Sequence, residues 1–126
     1  MTQSFLENIR NEFEILIKKC PQMTPKDLWP KYFPTGMMEI RWDEDMRGVE
    51  NRYNYIIFHL YDELKQKQNN YLSDVIGAEK MLWLRESRNQ RAHPGEMMEK
   101  IRQQKYHFSS CCNLWEIIKI LESNVK

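Results

Sequence analysis

Residues 84–94 read Leu84-Arg85-Glu86-Ser87-Arg88-Asn89-Gln90-Arg91-Ala92-His93-Pro94, a helical pattern that runs out into three arginines, an asparagine and a histidine. Groups this cationic and titratable are costly to bury and well suited to holding a phosphate. Pro94 disfavours helix in the residue ahead of it, so the helix is expected to stop at about Arg91, with His93 on the turn beyond. Arg88 and His93 are five positions apart, which on an ideal helix is about 140° of rotation and no shared face. A histidine past the helix end can swing back. It then sets a base that titrates near neutrality beside a permanent cation with a planar donor fork. Phosphodiester cleavage needs that pair of parts, one to neutralise the phosphate and one to move a proton. Asn89 can fix the tautomer of His93 or donate to the phosphate. Composition alone favours the plainer reading, a solvated basic helix end.

Upstream, Ser73 is the expected cap of this third helix, with Val75, Ile76, Ala78, Met81, Leu82 and Leu84 as its apolar material. The polar run Gln66 to Asn70 reads as the loop before it. A second helix is expected from about Met38 to Gln68, with Tyr53, Ile56, Ile57, Leu60 and Leu64 on its buried face and Gly48 as a point of bending or splitting. The first helix opens on Ser4 with Glu7, a capping box, and runs to about Cys20 with Phe5, Ile9, Phe13, Leu16 and Ile17 inward. Residues 21–38 form a connector. Thr24-Pro25 begins a short turn there, and Leu28, Trp29, Tyr32 and Phe33 lid the core. Downstream, residues 96–104 make a short charged piece. A last helix spans about Tyr106 to Ser123, with Phe108, Cys111, Cys112, Trp115, Ile118 and Leu121 inside and Leu114 and Ile117 alongside. Four long helices with short connections predict an all-α, antiparallel four-helix bundle with short additional helical segments.

A chain of 126 residues is one domain by length, spanning 1–126, whether it stands alone or as one piece of a larger protein. Four Gly and five Pro are too few for a turn-rich sandwich. With 19 basic and 18 acidic residues, total charge announces neither nucleic acid nor membrane. Its distribution is uneven. Residues 85–107 hold six basic and three acidic side chains, while residues 39–50 hold five acidic and two basic. The run Asp43-Glu44-Asp45 reads as a solvated, cap-like patch rather than a metal site, because neighbours on a helix point apart. His59, with no titratable partner nearby, reads as a partly buried structural histidine. Cys20, Cys111 and Cys112 lack the spacing of a zinc or redox motif and read as free thiols in a reducing compartment. Without a signal peptide or a run of about 18–20 apolar residues, the expectation is a soluble intracellular chain with no membrane partner.

The stretch Arg88-Asn89-Gln90-Arg91-Ala92-His93 resembles the signature of the HEPN superfamily: an arginine, a polar residue, and a histidine after four to six intervening positions. The Arg-Asn-x-x-Ala-His form is especially similar to HEPN domains of RNA-surveillance endonucleases and prokaryotic defence proteins. In that family the motif ends the third main helix of a helical bundle, which is where it stands here. The resemblance implies a metal-independent endoribonuclease, without cofactor, that works as a homodimer with two motifs meeting across the interface. It implies that His93 is general acid or base on the 2′-hydroxyl or the leaving 5′-oxygen, and that Arg88 stabilises charge on the scissile phosphate. Asn89 supports either group, and the products carry 2′,3′-cyclic phosphate and 5′-hydroxyl ends. Arg85, Arg91 and Arg102 match no motif position and are expected only as an electrostatic track for RNA; Tyr106 and Phe108 are candidates for base stacking. The family also contains non-catalytic members that dimerise or bind RNA beside a separate catalytic domain, and a protein-interaction domain with no RNA role is the third reading.

Overall fold

In the computed structural model, residues 1–19, 28, 42–66, 70–89 and 104–125 are described, the side chains of 19, 42–47, 66, 70 and 104–108 excepted. All elements among them are helical: α1 (Gln3–Lys19), α2 (Trp42–Tyr61), α3 (Asn70–Ile76), α4 (Ala78–Asn89) and α5 (Gln104–Asn124), with a π-helical turn (Asp62–Gln66) extending α2. The helical class expected from composition is what the described residues adopt.

Helix α1 begins at Gln3, two residues earlier than a Ser4 cap allows. Thr2 is the cap, its Oγ1 accepting from the Phe5 amide at 3.1 Å, so Ser4 and Glu7 lie inside the helix and form no capping box. Of its expected inward stripe Ile9, Phe13, Leu16 and Ile17 are buried and Phe5 only partly so, while Leu6, not expected there, is buried. Arg10 does not simply face water: it binds Glu14 at 3.2 Å one turn on and Glu122 of α5 at 2.7 Å. Helix α2 passes through Gly48 as one element, because a single glycine costs a helix only about 1 kcal/mol against its neighbours' burial. The acidic run Asp43-Glu44-Asp45 sits in its first turns, where a negative patch suits the helix dipole.

The third helix departs most from expectation. It starts at Asn70, not at a Ser73 cap, and breaks at Gly77 into α3 and α4. The Ser73 hydroxyl instead donates to the Leu64 carbonyl at 3.0 Å, satisfying an acceptor at the end of α2. Gly77 has φ +97°, a left-handed value that an L side chain adopts only under strain. Its amide closes α3 on the Ser73 carbonyl and its own carbonyl accepts from the Met81 amide, both at 3.1 Å, so α4 begins at once in a new direction. As a consequence Ala78 and Leu82, expected as apolar packing material, are exposed, Leu82 by 46%.

Helix α1 packs on α2 and α5, α2 on α4, and α3 on both α4 and α5. Between them lies one core, built on Tyr53, Ile56, Ile57, Leu60 and Leu64 of α2 and on Cys111, Leu114, Ile117, Ile118 and Leu121 of α5, with Leu28 of the connector joining it. Trp29, Tyr32 and Phe33 lie outside the described residues. Cys111 is a buried thiol within 3.5 Å of the Tyr53 hydroxyl and Cys112 a half-buried one, neither in a disulfide, and Cys20 lies outside the described residues. Phe13 and Trp115 stack at 6.2 Å between centroids, tying α1 to α5. Among the described residues no helix is long and apolar enough to cross a membrane.

Candidate functional site

On α4 the inner stripe is short: only Leu84 and Ser87 are fully buried. Helical spacing therefore leaves Arg85 and Asn89 exposed, four residues apart on one face, and Arg88 half-buried at the edge of the interface with α2. The guanidinium of Arg88 lies 5.4 Å from the ring centroid of Phe58 and 5.1 Å from that of Tyr61. These two rings, at i and i+3 on α2, make a double cation–π seat. A ring face steadies the charge without consuming the N–H donors as a carboxylate would. Among the described residues no carboxylate pairs with Arg88, and its Nε is buried without a hydrogen-bond partner.

A buried, unpartnered donor costs about 1–3 kcal/mol, and the seam holds two more polar atoms in that condition. The Oδ1 atoms of Asn54 and Asp62 are buried with no partner among the described residues. Asn54, Phe58 and Asp62 are successive i, i+4 positions, so they form one stripe on α2 with the ring that carries Arg88. The side of α2 that meets α4 is thus aromatic and polar where the core face is aliphatic.

Beyond this seam a cleft of ≈ 420 Å³ opens between the π-helical turn, α3 and α4. Tyr61 belongs to both, seating Arg88 and lining the cleft. Arg85 of α4 and Lys65 of the π-helical turn both line it, both exposed, and neither pairs with a carboxylate among the described residues. His59 lies elsewhere on α2, half-buried, its ring 4.3 Å from that of Tyr55 and 5.7 Å from that of Phe58. No group of three or more His, Cys, Asp or Glu side chains placed to hold a metal occurs among the described residues.

Of the residues singled out in the sequence, Arg85, Arg88 and Asn89 come together on the last two turns of α4. His93, Arg91 and Arg102 lie outside the described residues. Tyr106 belongs to α5 with Phe108, but their side chains are likewise outside the description. Sequence reasoning missed Phe58, Tyr61 and Lys65. The signal was present: positions 58, 61 and 65 repeat at helical spacing on a face flanking the aliphatic stripe of α2. The chain matches no family model, no curated protein and no solved structure.

Proposed function

We propose that the chain is a HEPN-type, metal-independent endoribonuclease acting as a homodimer, on an antiparallel four-helix bundle in which α3 and α4 together count as the third helix. The observation that carries this reading is the state of Arg88. The arginine that the motif assigns to the phosphate is seated on two aromatic rings at the end of α4, with no described carboxylate neutralising it and a donor left over. A cation held in this way is preorganised for an oxyanion, because the ordering cost falls on folding and not on binding.

The chemistry follows from RNA itself. The ribose 2′-oxygen loses its proton and forms a bond to phosphorus, and the bond from phosphorus to the 5′-oxygen breaks as that oxygen takes up a proton. His93 moves one of these protons, in the role the motif gives it. Arg88 stabilises the charge that gathers on the non-bridging oxygens. Asn89, one residue after Arg88, holds His93 or the phosphate, and Arg85 attracts the adjoining backbone. Arg91 and Arg102 extend that track.

The test is incubation of single-stranded RNA with the protein in EDTA, scored for 2′,3′-cyclic phosphate ends. Cleavage by the parent and none by a folded His93→Ala variant is the expected result. Cleavage that requires added metal, or that persists in His93→Ala, overturns it. Salt-sensitive RNA binding without cleavage would assign the chain to the non-catalytic members of the family, as an RNA-binding or dimerisation module.

A further inference from the structure

We infer that the ≈ 420 Å³ cleft beside Arg88 is a seat for one nucleotide of single-stranded RNA, next to the phosphate that Arg88 takes. The inference rests on the RNA reading above. It adds a base-accepting subsite built by α3, α4 and the π-helical turn, none of which carries a motif residue into the cleft.

Three observations support it. First, the cleft is a product of two backbone irregularities. The π-helical turn Asp62–Gln66 carries Lys65 into the lining, and the break at Gly77 separates Ser73 and Asp74 of α3 from Ala78, Met81, Leu82 and Arg85 of α4, which line the rest. Irregular helix of this kind is commonly kept at functional positions. Second, part of the apolar surface inside it is left over by the core, which Met81 touches and Leu82 does not. Leu82 is 46% exposed and Met81 only partly covered, whereas the neighbouring Leu84 is fully buried. The volume lies within the range of about 300–1,000 Å³ typical of ligand sites, large enough for a flat base but open to the strand on either side. Third, the polar groups are sorted for a nucleotide. Lys65 and Arg85 provide two cations without described carboxylate partners, suited to the phosphate. Asp74 of α3 adds an acceptor to the lining, suited to an N–H of a base or to a ribose hydroxyl.

Position makes the occupant specific. Ala78, Leu82, Arg85 and Asn89 recur at helical spacing, so the cleft wall and the motif end form one stripe of α4. Tyr61 is the shared partition, with the Arg88 guanidinium 5.1 Å from its ring centroid and the cleft lined by the same side chain. A strand with its scissile phosphate at Arg88 passes directly over the cleft, and its neighbouring base has an apolar surface to enter.

The experiment is a 13C-methyl NMR titration of the whole chain, following the Met81 methyl signal. Adenosine 5′-monophosphate is the probe; ribose 5-phosphate and inorganic phosphate are the controls. The expected result is a saturable Met81 shift with adenosine 5′-monophosphate and a short single-stranded oligoribonucleotide, but not with ribose 5-phosphate or phosphate. Leu82→Glu, a solvent-side change, should abolish the shift, and combined Lys65→Gln and Arg85→Gln should weaken nucleotide binding by about tenfold. Equal shifts with ribose 5-phosphate would reduce the cleft to a phosphate site and overturn the inference. No Met81 shift with either nucleotide or oligonucleotide, while the oligonucleotide still binds by fluorescence anisotropy, overturns the inference and leaves the RNA reading standing. No oligonucleotide binding even at low salt removes both.

Discussion

Helix α2 presents two faces about a third of a turn apart, and they are made by opposite rules. One carries Tyr53, Ile56, Ile57, Leu60 and Leu64, each at most 1% exposed, against α1, with the Tyr53 hydroxyl reaching Cys111 of α5. Its own groups are apolar or already partnered, although on α5 Ser110 Oγ and Trp115 Nε1 are also buried without a described partner. The other carries Asn54, Phe58, Tyr61 and Asp62 against α4, where Arg88 rests on two rings and three polar atoms are buried without described partners. Polar groups left in that state lower stability and are kept where something else uses them. The first face specifies the fold; on the function proposed above, the second is kept for a ligand that brings charge.

Substitutions on the two sides should therefore separate. Leu60→Ala, at a fully buried site, is expected to cost about 2–5 kcal/mol in urea unfolding. A cost under about 1 kcal/mol would show that the aliphatic face is not closely packed. Gly77→Ala comes next. An added Cβ meets no atom within 4 Å, so only the φ of +97° opposes it, and a loss of about 1–2 kcal/mol should appear as a lowered Tm. A neutral result there would mean that the break between α3 and α4 does not depend on glycine. Lys80→Ala removes a 2.8 Å ion pair with half-exposed Glu116, which ties α4 to α5. It should cost under about 1 kcal/mol, fading as salt is raised.

Arg88→Met is expected to have the smallest effect on stability, within about 1 kcal/mol of the parent and on either side of it. Methionine fills the space over Phe58 and Tyr61 while removing the charge and the orphaned donor. A loss as large as that of Leu60→Ala would make Arg88 a packing residue and erase the contrast between the faces.

The helices of the core were largely legible because burial imposes periodicity: the inward positions of α1, α2 and α5 stand where a repeat of 3.6 puts them. The errors fall where local chemistry had equivalent options. Thr2 and Ser4 are both competent caps, and only the first is used. Ser73 resembled a cap but donates to the Leu64 carbonyl nine residues before it, a contact that no sequence window contains. Gly77 was passed over inside an apolar run, although it sets the direction of α4. At the site, Arg85, Arg88 and Asn89 were legible as a cluster from spacing on one helix. The rings beneath Arg88 and the cation that lines the cleft with Arg85 come from α2 and its π-helical turn, and pairing between distant helices leaves no local trace.

The central claim, that Arg88 is held for an RNA phosphate and not for the fold, is tested most directly by the rate at which folded Arg88→Met cleaves single-stranded RNA in EDTA. The prediction is a fall of about 100-fold or more relative to the parent, with unfolding free energy kept. A parental rate in the variant, or no cleavage by either protein, would contradict it.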